Sequence, residues 1–356
     1  MKKTLIATAI AAISFSGAAF AADGNMSASD LAAKMDSMPN VYGNIQYAIA
    51  HDSIDNGPSS VEHFDNGSTL GVTHDHQITP NVTGFFKLEL DGFNADDKSK
   101  GRGQARLDEA YIGIKGDSFG QIWVGSDDST YERAIDNISN FYEVATLSLG
   151  GDYDTGEGDL IQYMSPSFGG LVLGAAVQIN GDGDTKGGAD KSYPYQLSAT
   201  YGIDALELAF AVDSNDISLD RDSVTSGVQA NNDNTYGLRA TYSMDNVSIS
   251  GQYQTRKDVS DVYGVIGVYT LGANQFALSY EVAELDGASK SASGDNTSST
   301  VTLQALHNIS DNMYVYAEGY IGGGDDVYDT ESVDGSGDKI FSDERTIAAL
   351  GAVYYF

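Results

Sequence analysis

A period of two runs through most of this chain. In Val247–Arg256, VSISGQYQTR, the residues Val247, Ile249, Gly251 and Tyr253 fall on one side. Ser248, Ser250, Gln252, Gln254 and Arg256 fall on the other. Only an extended strand sends alternate side chains to opposite faces, so this stretch is a strand with one apolar and one polar face. TYGLRATY repeats it, with Tyr236, Leu238, Ala240 and Tyr242 set against Thr235, Gly237, Arg239 and Thr241. YQLSATY, LELAFAV and FALSYEV do the same.

About sixteen such segments can be laid out, each about 9–12 residues long, the length of a tilted membrane-spanning strand. They begin near Val41, Ser68, Asn81, Gln104, Phe119, Gly158, Gly170, Tyr193, Leu206, Asn234, Asn246, Asp261, Asn274, Ser299, Asn312 and Glu344. The sixth, DLIQYMSP, is short. The twelfth, VYGVIGVYT, is apolar on both faces, and alternation does not orient it.

The connections alternate in character. GDS after Lys115, GIDA at 202–205, MDN at 244–246, GAN at 272–274 and SDN at 310–312 are short and rich in turn formers. HDSIDNGPSSVEHFDNG, GDGDTKGGADKS, NDISLDRDSVTSGVQANND, DGASKSASGDN and GGGDDVYDTESVDGSGDKIFSD read as long polar loops. Short turns on one rim and long loops on the other predict an antiparallel transmembrane β-barrel. A solenoid needs a fixed repeat, and none is found. A sandwich has fewer strands and one shared apolar core.

The ends agree. Lys2 and Lys3, the apolar run Leu5–Phe15 and Ala19-Phe20-Ala21 read as a leader over 1–21, cleaved before Ala22. Residues 22–40 read as a segment at the periplasmic side or pore mouth. Within it Ser27–Met38 forms a short helix capped by Ser27 or Ser29, with Leu31, Met35 and Met38 as its stripe. The barrel is expected over 41–356. Leu350, Ala352, Tyr354 and Phe356 share one face of the final strand, placing two aromatics in an interfacial girdle.

Composition narrows the function. The formal net charge of −32 argues against nucleic acid as a partner. The chain has no Cys, hence no disulfide frame. Its five His, at 51, 63, 74, 76 and 307, lie in no nucleophile motif, so no enzyme reading stands. HDH at His74–His76 puts two imidazoles on one strand face, but no third metal ligand is evident. Asp-rich stretches such as GDGDT and GGGDDVYDTES are candidates for loose Ca2+ or Mg2+ bridging to lipopolysaccharide phosphates. No resident cofactor is expected.

At this point the chain resembles the general porins of Gram-negative outer membranes. The resemblance spans nearly all of the mature chain. VYGNIQY opens the first strand and GSTLGV lies in the second. ARLDEAYIGIKGDSFGQIWVG leads to the longest inner segment, YMSPSFGGL follows it, and Phe356 ends the match. The resemblance implies a sixteen-stranded barrel, a homotrimer in outer-membrane lipid and lipopolysaccharide, and a terminal aromatic read by the barrel-assembly machinery. It also implies a third loop, 126–158, that folds inward to constrict the pore. In that loop STYERAIDNISNFYE offers a helix with Ser129 as N-cap and Glu132 at the capping-box position. Asp152 keeps a family acid. The acid at the loop tip is replaced by Ser148, with Glu143 the candidate to take its role.

The family's basic lumen positions correspond here to Asn44, Thr69, Asp108 and Ser126, none of them basic. Arg106 is a candidate shifted replacement. Lys87 and Glu89 face inward by alternation, with Phe86, Leu88 and Leu90 outward. Glu207, Asp213 and Glu281 also fall inward, while Glu109 falls outward by parity, against a neighbouring protomer. With Glu132, Asp136, Glu143 and Asp152 on the loop, the lumen is expected to favour cations. Tyr314, Tyr316 and Tyr320 on one inner face give a sugar-selective channel as the alternative. An adhesin acting through the acidic outer loops is a further one.

Overall fold

The computed structural model describes residues 38–97, 105–179, 193–216, 233–286, 296–333, 337 and 339–356. The expected leader, the helix expected over Ser27–Met38 except Met38, and most of three expected long loops (181–192, 215–233 and 286–296) lie outside the described residues.

One antiparallel sheet closes on itself. Its strands are β1 (Asn40–Ile54), β2 in two lengths (Ser59–Asp65 and Thr69–Thr79), β3 (Val82–Asp91), β4 (Arg106–Gly116), β5 (Gly120–Ser126), β6 (Leu160–Met164), β7 (Leu171–Gln178) and β8 (Tyr195–Ile203). There follow β9 (Leu206–Asp213), β10 (Thr235–Met244), β11 (Val247–Arg256), β12 (Ser260–Leu271), β13 (Asn274–Leu285), β14 (Thr297–Ser310), β15 (Met313–Val333) and β16 (Lys339–Tyr355). The two lengths of β2 pair with the upper and lower parts of β1, so they form one wall strand broken by a bulge. Side chains fill the gap in the ladder: Ser68 Oγ accepts from Gln46 N at 3.0 Å, and Asp65 Oδ1 accepts from Ser68 N at 2.8 Å. The result is a sixteen-strand barrel.

Closure is made by β16 against β1, from Asn44 opposite Tyr355 up to Ile54 opposite Arg345. Gly43 and Phe356 then exchange two backbone hydrogen bonds of 3.1 Å. Among the described residues no strand edge is left along the wall, as a bilayer requires, because an unpaired N–H or C=O costs several kcal/mol in hydrocarbon.

The alternation sorts the side chains. Leu278 is 56% exposed and Leu350 66% exposed on the outside, while inward Gln304 and Thr302 are fully buried. An apolar outer face with a polar interior inverts a water-soluble fold. Leaving each leucine-sized side chain in water forgoes about 1.5–3 kcal/mol, which lipid contact restores. No helix of the described residues is long and apolar enough to cross a membrane, and the crossing is made by strands.

Three expectations change. Part of HDSIDNGPSSVEHFDNG is a tight hairpin, since β1 runs to Ile54 and β2 starts at Ser59. Most of GGGDDVYDTESVDGSGDKIFSD also continues the sheet, because β15 reaches Val333 and β16 starts at Lys339, with register shifts at Gly323/Tyr328 and Asp329/Ser332. Above the bilayer there is no lipid face to impose alternation, so these polar strands carry no period-two signature. The ambiguous twelfth segment becomes oriented as well: Tyr263 and Val265 point out, and Val262 and Ile266 are buried inside. It is apolar on both faces because something apolar covers it from within.

Gly43 marks the seam. A Cβ there would lie 2.5 Å from the Thr69 carbonyl oxygen and 2.7 Å from the Phe356 ring. Gly43→Val is expected to destabilise closure by about 1–3 kcal/mol. A smaller compact, heat-modifiable fraction on unheated gels checks this, whereas Gly267→Val, where the added Cβ meets nothing within 4 Å, leaves that fraction unchanged.

Candidate functional site: the lumen and the loop inside it

Residues 127–159, between β5 and β6, run inside the cylinder. A loop buried there must satisfy its own backbone, and the inner row of the wall supplies the partners. The loop opens with helix α1 (Thr130–Ile135). Ser129 Oγ caps it by accepting from Glu132 N at 3.1 Å. The Glu132 carboxylate accepts from Asn140 Nδ2 at 2.8 Å, so only one half of the expected capping box forms.

The helix packs Tyr131, Ala134 and Ile135 onto inward Ala209 and Ala211 of β9. Inward glycines make the remaining room. A Cβ on Gly237 would lie 2.7 Å from Ile135, one on Gly264 2.8 Å from Ile138, and one on Gly322 3.1 Å from Leu147. Further along, Ile138, Tyr142 and Leu147 pack with Ile266, Tyr320 and Ile347. This is the apolar cover that β12 required.

The polar anchors are spread along the same walls. Gln196 Oε1 accepts from Tyr131 N (3.0 Å), and Gln252 Oε1 from Ile138 N (3.3 Å). Thr300 Oγ1 donates to the Leu147 carbonyl (2.7 Å). Asp213 Oδ1 accepts from Thr155 Oγ1 (2.7 Å). The densest anchor is Glu318, 4% exposed on β15. Its carboxylate accepts from Glu143 N (2.8 Å), Val144 N (3.0 Å), Gln304 Nε2 (2.6 Å) and Tyr320 Oη (2.7 Å). With two loop amides and two wall side chains on one carboxylate, this clamp sets the position of the loop tip.

Glu318, Gln196 and Gln252 were not among the sequence candidates. The signal that could have found them is an inward polar row interrupted by inward glycines. Such a row serves a buried loop better than it serves open water. The inner tyrosines belong to the same anchoring. Tyr314 Oη donates to Glu143 Oε2 (3.1 Å) and Tyr320 Oη accepts from Ala145 N (2.9 Å), while Tyr316 Oη accepts from Asn66 Nδ2 (3.1 Å), an amide of the wall that also donates to the Glu143 carbonyl (2.9 Å). They hold the loop and do not form a free aromatic track.

The loop's described anchors thus lie mainly on β8–β15, and β1–β4 face it from across the lumen. On that facing wall Asn44 Nδ2 donates to Thr69 Oγ1 at 2.9 Å. Lys87 lies 2.5 Å from Glu109 and 3.7 Å from Glu89. Glu109 therefore faces inward, not outward. The register shifts between Glu89 and Leu90 against Glu109 and Leu107, leaving Asp108 as the extra residue of a bulge. Parity counted along the sequence fails past that point. Asp108 lies close enough to Glu89 and Lys87 for their charges to act on it. Three carboxylates therefore gather about one ammonium group.

The other candidates separate. Arg106 is largely exposed at the long-loop rim, 3.3 Å from Asp91, and not beside Lys87. Asp152 pairs with Arg256 at 2.7 Å, and Glu207 with Arg239 at 2.9 Å. Asp136, Asp213 and Glu281 are buried between loop and wall. On the loop, Asp128, Glu132 and Glu157 bring carboxylate oxygens within 4.8 Å of one another. Burial, then the charge of Asp128, pushes the Glu132 carboxyl up to about 7. Burial also raises Asp128 and Asp136 above the usual carboxylate range. Arg133 is spent on Asp127, at 2.7 Å.

A family model described as Gram-negative porin matches residues 7–324. A Halomonas protein called a monosaccharide porin is 32% identical over the full length of both chains. The anion-selective porin from Comamonas acidovorans superposes with a TM-score of 0.66 at 17% identity, covering 90% of this chain and 99% of its own. A trimer form of the Vibrio cholerae outer-membrane protein OmpT gives 0.60 at 14% identity, with 90% and 99% covered.

Removing the Glu318 clamp leaves two loop amides without acceptors. Hydrogen bonds to a charged group contribute about 1.5–3 kcal/mol each. Glu318→Ala is therefore expected to free the loop tip, giving larger and noisier single-channel currents in planar bilayers. A quiet current of unchanged size would show that the remaining anchors hold the tip alone.

Proposed function

The chain belongs to the Gram-negative porin family, and from that premise we propose that it is a diffusion channel preferring cations, constricted by the loop 126–158. Its place is the outer membrane, and its work is passage, not catalysis. One observation carries the sign of the preference: Lys87 is met by Glu89, Asp108 and Glu109 on the wall. Across from it the loop offers Asp128, Glu132 and Glu157, while its Arg133 is already paired. Facing rows of carboxylates in a narrow, low-dielectric passage attract cations and repel anions. Salt screens charges beyond about 8 Å, so the effect acts at the narrow level and fades in the vestibules.

The preference is one of charge and not of chemistry. Neutral solutes of sugar size enter by the same route, which accommodates the relative named for monosaccharides. The sugar-track alternative loses its tyrosines to loop anchoring. The neighbour described as anion-selective shares the fold at 17% identity, which leaves the sign to the residues present in this chain. Three barrels associate into a homotrimer, set in lipid and lipopolysaccharide, and Phe356 at the seam is the group offered to the assembly machinery.

Reversal potential in a KCl gradient tests the reading. A cation-favouring potential is expected, reduced in the Asp108→Asn/Glu109→Gln double variant; an anion-favouring value in the parent would overturn it. The preference also depends on pH. Glu132, pushed up to about 7, is neutral below that value and gains charge above it. Raising the pH from about 6 to about 8 should therefore strengthen the cation preference. Glu132→Gln should remove that step.

A further inference from the structure

One carboxylate behind the loop is left unanswered. Glu281, on the inner face of β13, is fully buried, and neither Oε1 nor Oε2 has a hydrogen-bond partner among the described residues. Other buried acids of the interior differ. Glu318 accepts from four donors. Asp213 accepts from Gln196 Nε2 (2.7 Å) and Thr155 Oγ1, and Asp136 accepts from Gln254 Nε2. The arginines of β10 and β11 are engaged elsewhere, Arg239 with Glu207 and Arg256 with Asp152 and Asp154.

The strand register sets further spare oxygens beside Glu281. Ser279 is two residues away on the same face, and Thr302 of β14 stands directly opposite Ser279. Opposed residues of an antiparallel pair have Cβ atoms about 4.5–5.5 Å apart. Both side chains are buried, and both hydroxyl oxygens lack a partner. On the other side Gly264 stands opposite both Glu281 and Gln252. A Cβ on Gly264 would lie 3.6 Å from Glu281 Cγ and 3.3 Å from Gln252 Cγ, so the two longer side chains close over the glycine. Gln252 turns Oε1 to the Ile138 amide, and its Nε2 does not reach the carboxylate. The loop covers the group from the lumen side. Thr300, opposite Glu281, holds the Leu147 carbonyl, and Tyr142 Oη donates to the Thr302 carbonyl at 3.3 Å. The Leu149 amide lies close enough to act on Glu281.

We infer that Glu281, Ser279 and Thr302 hold a monovalent alkali cation between the wall and the loop. Buried charges are paired or coordinate a metal, because an uncompensated one is too costly. Glu281 forms no ion pair among the described residues, and the spare groups beside it on β13 and β14 are oxygens. Carboxylate and hydroxyl oxygens are donors for hard cations. One carboxylate balances one positive charge. A calcium ion gathers about six to eight oxygens and would leave net charge buried here. Water would satisfy the hydrogen bonds and leave the charge. The ion therefore sits beneath the loop and helps to fix it, apart from the ions that pass through the lumen.

Crystals of the detergent-purified protein grown in RbCl test the site directly, since rubidium scatters anomalously and stands in for sodium or potassium. A peak is expected within coordination distance of the Glu281 carboxylate. In solution the parent should unfold several degrees higher in NaCl than in choline chloride of equal ionic strength, and the gap should widen as NaCl rises, because a ligand of the folded state stabilises it by mass action. Glu281→Gln keeps the shape and removes the charge, so it should unfold alike in both salts. If that variant does not fold, Ser279→Ala/Thr302→Val removes two of the oxygens and should narrow the gap in its place. No rubidium peak at Glu281, a parent indifferent to the choice of salt, or a full gap kept in Glu281→Gln would overturn the inference. A gap produced by CaCl2 and not by NaCl would overturn the assignment to a monovalent ion. The inference stands apart from the sign of the channel's preference, which the reversal potential reads.

Discussion

Backbone hydrogen bonding without a free edge governs everything else in this molecule. Hydrocarbon offers no partner to an N–H or C=O, so a sheet crossing it must meet its own first strand. Here β16 returns to β1, and Gly43 exchanges backbone bonds with Phe356 at the last rung. Once closed, the wall has only two environments. Side chains of one parity meet lipid and those of the other meet the interior, so alternation follows from closure and is not a separate design choice.

The interior then poses a second problem. A long loop has entered it, and a buried loop cannot leave its amides unpaired. Glutamines 196 and 252, Thr300 and above all Glu318 answer this from the wall, while Gly237, Gly264 and Gly322 open depressions for Ile135, Ile138 and Leu147. Such a wall is specific in two ways: hydrogen bonds choose the loop's register and the glycines choose its side chains. The loop therefore holds one position, and the charges it carries toward β1–β4 are held with it.

The wall was legible in the sequence, because lipid imposes a simple code. Most strands start within a residue or two of where alternation predicts them; β16 and the upper half of β2 do not. The reading failed where that code stops. Above the bilayer, Gly322–Ser332 still forms strand, yet polar residues stand on both faces and no period survives. At Asp108 the bulge inserts one residue, and every inward or outward assignment beyond it on β4 reverses, which is why sequence parity puts Glu109 on the wrong side. Anchoring residues such as Glu318 looked like lumen polarity because alternation reports that a side chain faces inward, not whether water or a loop meets it there.

That last distinction decides the electrostatics. Counting inward acids along the strands puts Glu207, Asp213 and Glu281 on the same footing as Glu89. The structure divides them. Glu207 is matched by Arg239, Asp213 is consumed by loop contacts, and Glu281 is buried. Only groups facing the gap act on a passing ion, because field falls with distance and is screened by salt. On the wall across from the loop Lys87 and the three carboxylates around it are such groups, while lower on the same wall Lys115 is matched by Asp75. A single lysine among three acids does not create the opposed cationic and anionic walls that polarise a passage transversely. It leaves a net negative patch whose one positive charge is already engaged, so an entering cation meets carboxylates whose countercharge falls short, and an entering anion finds no unclaimed ammonium on that patch.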